Sequence, residues 1–310
     1  MKRLFALLVV WGLLMTGAGP AGAQEESTVR GLGMGNALTA SAAGSGALFY
    51  NPAGLSTVRA YTVETFYQFA VQRQGHLAHA SVVDSITSKW VHAGLFYDYF
   101  RSRPEVFEPA VGRSVRLRKQ RHETGLALSV PFANMVSLGV SIRYLHLETL
   151  SRAPSDEDPS EAVDATVEKK DTVGLDAGAH VSFGGGFALG VAGRNLVPTH
   201  SIDAPMTLSV GAAYAYHRLF LVTSDLVLDF NTPERRQMVG VRAGAEFFIK
   251  GMFALRAGTW YDGWPQSVYV TGGFAYVSPK VSVELGLAQQ ADGGIETQFG
   301  LSVRLFFNQM

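Results

Sequence analysis

The amino-acid sequence predicts an all-β protein, a transmembrane antiparallel β-barrel of about 14 strands with an N-terminal plug (hatch) segment. Three observations support this prediction. Apolar and polar residues alternate in repeated runs, the number of runs is even, and the connections between them are alternately short and long. These are the features of barrels that cross bacterial outer membranes.

The alternation is clearest in the run 136–144, where five apolar side chains lie on one face and Ser, Gly, Ser and Arg lie on the other. The runs 173–183 and 295–307 show the same pattern. A tilted strand needs about 9–11 residues to cross the hydrocarbon layer of a membrane. No stretch in the mature chain has about 18 consecutive apolar residues, so no transmembrane helix is predicted.

Runs of this kind recur along the rest of the chain. The predicted strands are 60–72, 76–85, 89–101, 120–130, 135–149, 169–183, 186–195, 205–216, 218–229, 236–249, 252–262, 267–277, 280–290 and 294–307. A soluble β-sandwich or propeller is the alternative, but it does not require strands of such uniform length.

The connections divide into two sets. The tight connections are 131–134, 184–185, 217, 250–251 and 278–279, and the longer ones are 102–119, 151–168, 196–204, 231–235 and 262–266. Outer-membrane barrels have short periplasmic turns and longer external loops. If the first strand runs outward, the tight set is periplasmic and an even strand count returns both termini to the periplasm.

Charged residues fall on the face opposite the apolar one. These lumen-facing residues are Glu64, Glu123, Arg143, Asp176, His180, Arg194, Asp225, Arg242, Glu246, Arg256, Glu284, Glu296 and Arg304. An Arg or Lys at the lipid midplane costs about 2–4 kcal/mol, so such residues are expected inside. Their mixed signs favour a wall cross-linked by ion pairs. Arg242 and Glu246 share one strand face, and we expect them to be linked through a neighbouring strand.

Composition excludes several functional classes. Lys plus Arg and Asp plus Glu both number 26, so no basic excess points to nucleic acid. The absence of Cys excludes disulfides, thiolate metal sites and a Cys nucleophile. No H-E-x-x-H or G-x-S-x-G motif is present, so no enzyme, cofactor or metal site is predicted. His76 and His79 flank the first external turn and are expected to be solvated surface residues. The 34 Gly residues indicate many turns and close strand contacts.

The N-terminus has the pattern of a secretory signal peptide. Lys2 and Arg3 precede the apolar stretch 4–15, and Ala21-Gly22-Ala23 provides a cleavage site. We therefore predict a signal peptide at 1–23 and export to the outer membrane of a Gram-negative-type cell, with an uncleaved anchor as the alternative. The mature chain is divided into a hatch at 24–58 and a barrel at 59–310.

The hatch is predicted from composition, because it is rich in Gly and Ala, apolar, and without alternation. Small residues allow close packing, and Asn51-Pro52 is a turn initiator. A segment of this kind before a barrel would pack inside it.

The stretch 33–55 resembles the N-terminal hatch of the superfamily of long-chain fatty acid and toluene transporters (FadL and TodX). The similarity rests on a Gly-Met-Gly start and an Asn-Pro-Ala-Gly-Leu end; the motif residues are Gly33, Gly35, Asn51, Pro52, Ala53 and Gly54. The later motifs 193–196, 205–211, 244–247 and 254–258 resemble the shorter PorV/PorQ-type barrels linked to type IX secretion. The resemblance implies a hatched barrel with a lateral or luminal path.

The leading hypothesis is passive transport of small hydrophobic or amphipathic molecules across the outer membrane. The ligand path is assigned to inward-facing residues, namely Phe66, Phe96, Asp98, Phe100, Phe248 and Trp260. The aromatic members would equally serve to pack against the hatch. Asp98 lies between two aromatics on one face and should disfavour anionic cargo.

The alternative hypothesis is a PorV-like protein-interaction barrel with secretion-system proteins as partners. A general diffusion porin is a third hypothesis, weakened by the hatch. Outer-membrane lipid and lipopolysaccharide are expected partners in each case. The basic run Arg113, Arg116, Arg118, Lys119 and Arg121 is interpreted as an interfacial girdle or as a contact for lipopolysaccharide phosphates.

Overall fold

A computed structural model describes residues 27–103, 105–108, 113–132, 135–154, 162–197, 204–217, 219–230, 239–263 and 266–307. At 105–108, 113–117, 151–154 and 162–166 the backbone alone is described. The predicted signal peptide lies outside the described residues.

Fourteen strands form a closed antiparallel barrel, and a short fifteenth strand, β4, is added at its margin. The ring is closed by β1 pairing with β15 and by β3 pairing with β5, whereas β4 pairs with β5 alone. The strands are β1 (Tyr61–Ala70), β2 (Gly75–Asp84), β3 (His92–Ser102), β4 (Glu105–Glu108), β5 (Arg113–Pro131), β6 (Val136–Pro154), β7 (Ala162–Ser182), β8 (Phe187–Arg194), β9 (Thr207–Tyr216), β10 (Phe220–Asp229), β11 (Val239–Ile249), β12 (Phe253–Asp262), β13 (Ser267–Val277), β14 (Val281–Gln290) and β15 (Thr297–Phe307).

One end of the barrel, the short-turn end, carries the tight connections that the sequence predicts. Residues with positive φ make these turns, among them His217, Lys250 and Gly251. Gly185 and Gly186 form part of a short 3₁₀ turn between β7 and β8. The opposite end, the long-loop end, carries the connections after β3, β6, β8, β10, β12 and β14. The two ends thus differ as they do in outer-membrane barrels.

Apolar side chains face outward and polar ones face inward, as the alternation predicts. On β15, Phe299, Leu301 and Phe307 are each about half exposed, whereas Gln298 and Ser302 are buried. An outward surface of this kind would be unfavourable in water and is the surface that lipid requires. The predicted register of the last strand is therefore confirmed.

The lengths of three strands differ from the prediction. The segments 102–119 and 151–168 are not simply loops, because β5, β6 and β7 run for 19, 19 and 21 residues. Their ladders continue at the long-loop end, with β4 added to β5. Beyond the membrane both faces of a strand are solvated, so polar residues occupy both and the apolar alternation that identifies a membrane strand disappears.

The described part of the N-terminal segment, residues 27–58, contains two short helices, α1 (Val29–Gly33) and α2 (Gly46–Tyr50), and a 3₁₀ helix, Pro52–Ser56. α1 contacts β12 to β15, and the 3₁₀ helix contacts β3, β5, β6 and β7. Almost all of these residues are buried. Among the described residues, no helix combines the length and the apolar character needed to span a membrane.

The outward register of β15 predicts how charges at two depths affect stability. Leu301→Arg, near the middle of the strand, should cost about 2–4 kcal/mol, and Phe307→Arg, near the interface, about 1 kcal/mol or less. Both substitutions should reduce membrane insertion, and Leu301→Arg should reduce it more than Phe307→Arg. Denaturant unfolding from lipid vesicles measures the loss of stability. Phe307→Tyr is the control and should assemble normally. Equal losses for the two Arg variants would contradict this register.

Candidate functional site in the barrel interior

A belt of inward-facing glycines lines the part of the barrel wall against which the N-terminal segment packs. The cross-strand pairs are Gly139 with Gly178, Gly190 with Gly211, Gly244 with Gly258, Gly273 with Gly286, and Gly286 with Gly300. A Cβ added at any of them would press against this segment. Their missing side chains therefore let one backbone lie directly on another.

The order of these contacts shows that the segment follows the inner circumference. Val29 lies at Gly286 and Gly300 on β14 and β15, and Gly33 lies at Gly273 on β13. The later contacts continue in the same direction around the wall. They are Met34 and Gly35 with Gly244 and Gly258, Thr39 with Gly190 and Gly211, and Asn51 to Ala53 with Gly178 and Gly139.

The hatch motif residues have identifiable structural roles. Gly35 has φ +60°, and a Cβ there would meet backbone atoms of Thr259. The Asn51 side-chain amide donates to the Thr39 carbonyl at 2.9 Å and to the Ala179 carbonyl at 3.0 Å. The Asn51 side-chain oxygen accepts a hydrogen bond from the Ala53 amide and so caps the 3₁₀ helix that begins at Pro52. The motif therefore positions the segment against itself and against the wall.

A chain of alternating charges holds the segment at two points. Arg30 of α1 contacts Glu246 at 2.8 Å, and Glu246 in turn contacts Arg256 at 2.7 Å. Arg256 reaches Glu284 at 2.7 Å. Farther along, Arg304 lies 3.6 Å from Glu284 and 2.8 Å from Glu64, and Glu64 accepts a hydrogen bond from Ser45, just before α2. Three acids and three bases thus compensate one another in a buried site.

A second network lies within the wall. Arg143 contacts Glu123 at 2.5 Å and Asp176 at 2.7 Å, and it donates to the side-chain oxygen of Asn195 at 2.6 Å. These residues confirm the expected cross-linked wall. Glu246 pairs with Arg30 and Arg256, while Arg242 lies at hydrogen-bond distance from the Asn36 carbonyl. The ion-pair partners of Glu246 therefore come from α1 and β12.

An aromatic cluster joins the segment to β1, β2 and β3. The Phe49 ring of α2 lies 5.9 Å from Phe66, 5.0 Å from His79 and 5.8 Å from Phe96, between ring centroids. His79 stacks on Phe66 at 4.3 Å, and its Nδ1 lies 2.6 Å from the Asp98 carboxylate. We call Phe49, Phe66, His79 and Phe96 the aromatic cage.

The residues assigned to a ligand path all face inward but do not form one site. Phe66, Phe96 and Asp98 meet at the aromatic cage, and Phe100 lies farther along β3 under the Arg121 guanidinium, 5.4 Å away. Trp260 stacks on Tyr269 at 4.4 Å and packs against Leu32 of α1. Phe248 lies at the short-turn end of β11. Side-chain positions for 113–117 of the basic run lie outside the described residues.

The surface assignment of His79 is wrong. His76 faces outward and bonds to Tyr67, but His79 faces inward and is fully buried. Residues three apart on a strand lie on opposite faces, so the alternation itself could have separated them. No sequence signal links Phe49 to this cluster. In the part of the chain that the structure describes, no group of His, Asp or Glu side chains is arranged to hold a metal ion.

The glycine belt predicts a position-specific effect of one methyl group. Gly244→Ala would drive its Cβ into the Met34 carbonyl, so the segment must shift, at a cost of about 1–3 kcal/mol. Gly272→Ala is the matched control, because its Cβ would meet only one atom, at 3.9 Å. Thermal unfolding and protease cleavage of the N-terminal segment measure both effects. Equal behaviour of the two variants would contradict the close approach.

Among known proteins, solved structures agree with this architecture. No curated protein matches the sequence. A family model described as "F plasmid transfer operon, TraF, protein" matches residues 114–232, from β5 to the segment after β10. The remaining similarity is to solved structures of low sequence identity.

Three solved structures superpose on nearly the whole chain. A Pseudomonas aeruginosa FadL homologue has a TM-score of 0.67 at 13% identity, covering 91% of this chain and 98% of its own. The Pseudomonas putida toluene transporter TodX scores 0.64 at 16% identity, with coverages of 93% and 99%. The monoaromatic hydrocarbon channel CymD scores 0.63 at 13% identity, with coverages of 92% and 100%. The protein is therefore a 14-stranded antiparallel barrel with the fold of the FadL and TodX channels.

Proposed function

We propose that this protein is an outer-membrane channel for passive transport of small hydrophobic or amphipathic molecules. The main support is the shared fold, which covers more than nine tenths of this chain and almost all of two proteins described as a toluene transporter and a monoaromatic hydrocarbon channel. In this proposal residues 24–58 are the hatch that closes the lumen at rest. The contacts of this segment along the inner wall support that role.

The aromatic cage supports an apolar station on the path. Phe66 and Phe96 are both nearly fully buried within a wall whose other inward side chains are largely polar. A water-filled pore has no need of such residues, whereas hydrophobic cargo does. Asp98, next to the cage, would oppose a carboxylate that entered it.

A route along the lumen fits the wall better than a gap beside β3. The ladder between β3 and β5 runs without interruption from His92 paired with Ser129 to Ser102 paired with Lys119. The ladder between β2 and β3 is equally regular. The described backbone of β3 therefore leaves no break through which cargo could pass sideways.

A PorV-like role in protein secretion is the second candidate. It is supported by one feature, the extension of β5, β6 and β7 at the long-loop end, which offers a protein partner a small projecting sheet. Native mass spectrometry of the purified barrel separates the two candidates, because it reports whether a small apolar molecule or a protein co-purifies.

Removal of the hatch should open the lumen. Deleting residues 24–55 takes away the segment that lies along the glycine belt, so single-channel conductance in a planar bilayer should rise several-fold. The wild type and Gly272→Ala are the controls. Unchanged conductance in a correctly folded deletion variant would show that the hatch does not close the path.

The charge of Asp98 should set a preference for neutral cargo. Cells that produce the wild type should take up an alkane alcohol faster than the matched carboxylate, and Asp98→Asn should narrow that difference by relieving repulsion. Phe96→Ala should reduce uptake of the alcohol by removing part of the apolar station. If both cargoes enter equally through both Asp98 forms, Asp98 is not on the path.

A further inference from the structure

One buried polar atom beside the aromatic cage lacks a hydrogen bond. The His79 side chain is fully buried, and its Nδ1 lies 2.6 Å from an Asp98 carboxylate oxygen. An ionised carboxylate only accepts, so Nδ1 carries the hydrogen and donates it. Nε2 is then the remaining ring nitrogen, and it has no hydrogen-bond partner among the described residues. A buried polar atom in this state costs about 1–3 kcal/mol and calls for an explanation.

A second such atom lies on the same strand face. The hydroxyl of Ser81, the next inward position of β2, is buried and also without a hydrogen-bond partner in the described part of the chain. Ser81 is paired across the ladder with Phe96 of the cage. The barrel side of this site therefore combines apolar walls with unused polar atoms.

The volume between these walls is filled by a ring from the N-terminal segment. Phe66, His79 and Phe96 belong to β1, β2 and β3, whereas Phe49 belongs to α2. Phe49 is 2% exposed and supplies a single aromatic ring but no polar group. The Phe49 ring packs against the apolar walls, but it offers no hydrogen bond to His79 Nε2.

We propose that this volume is a binding site for a single-ring aromatic molecule that carries a hydroxyl group, and that Phe49 occupies it at rest. The ligand ring would take the place of the Phe49 ring, and its hydroxyl would hydrogen-bond to His79 Nε2. This inference rests on the proposed transport function and specifies its cargo.

A ligand hydroxyl matches this site better than a plain hydrocarbon or a carboxylate does. It can donate or accept, so it pairs with Nε2 whether the imidazole is neutral or protonated. A plain hydrocarbon leaves Nε2 unsatisfied. A carboxylate would lie next to the Asp98 carboxylate, which contacts His79, and the two like charges would repel each other.

The chain just before Phe49 has open space beside it. Gly44 and Gly46 precede it, and a Cβ added at either would meet nothing within 4 Å. The helix α2 has only five residues, and its N-cap Ser45 makes no side-chain capping hydrogen bond. Withdrawal of Phe49 therefore requires displacement of one short helix and loss of the Ser45 hydrogen bond to Glu64, but no displacement of the wall.

The test is equilibrium binding of three matched probes to the purified full-length barrel: toluene, p-cresol and p-toluate. The wild type should bind p-cresol about tenfold more tightly than toluene, the value of one net hydrogen bond of about 1.4 kcal/mol, and p-toluate most weakly. His79→Phe keeps an aromatic ring and removes Nε2. It should therefore weaken the affinity for p-cresol to that for toluene and leave the affinity for toluene unchanged. Phe49→Ala vacates the site and should tighten both neutral probes.

Two control variants keep the result interpretable. Phe299→Leu changes an outward-facing aromatic side chain of β15, away from the cage, and should leave all three affinities unchanged. His79→Gln keeps a polar group at the position and should restore part of the p-cresol preference, which a purely structural loss would not do.

The outcomes separate failure of the binding site from failure of the transport function. A p-cresol preference that survives in His79→Phe, or unchanged affinities in Phe49→Ala, overturns the site. Equal wild-type affinity for toluene and p-cresol also overturns it and would place an ordinary water at Nε2. If the wild type binds none of the probes and vesicles with the barrel admit none faster than empty vesicles, the transport function itself fails.

Discussion

The structure depends on the close approach of two backbones, that of the N-terminal segment and that of the barrel wall. A strand normally holds its neighbours away from its face by at least the depth of a side chain, and only glycine removes that spacing. The wall meets this requirement with glycines on adjacent strands, including Gly244 opposite Gly258 and Gly286 opposite Gly300. The high glycine content of the chain is thus largely a property of the wall and not only of turns.

The buried charges follow from the same arrangement. A segment packed against the wall excludes water from the inward side chains, and unpaired charges there would be very unfavourable. The alternating chain from Arg30 to Glu64 avoids this, because each charge touches an opposite one and the segment contributes Arg30 at one end and Ser45 at the other. The segment therefore completes an electrostatic network that the wall alone would leave open.

The fold could be predicted because the membrane imposes one rule on every strand, that outward positions are apolar. Phe307 and Leu301 obey this rule, and alternation predicts their orientation correctly. The rule does not apply beyond the membrane, so alternation predicts loops where β5, β6 and β7 extend as strands. It also carries no information about contacts inside the barrel, so the meeting of Phe49 with His79 is a tertiary result that periodicity does not encode.

The circumferential course of the N-terminal segment has a consequence for assembly. Residues Val29 to Gly35 are synthesised before β11 to β15, the strands on which they rest. Their docking surface does not exist until these strands have paired with one another. Docking of this segment is therefore coupled to the formation of β11 to β15: a barrel that lacks these strands has no surface on which the segment can settle, and the exposed segment would distinguish immature molecules from mature ones.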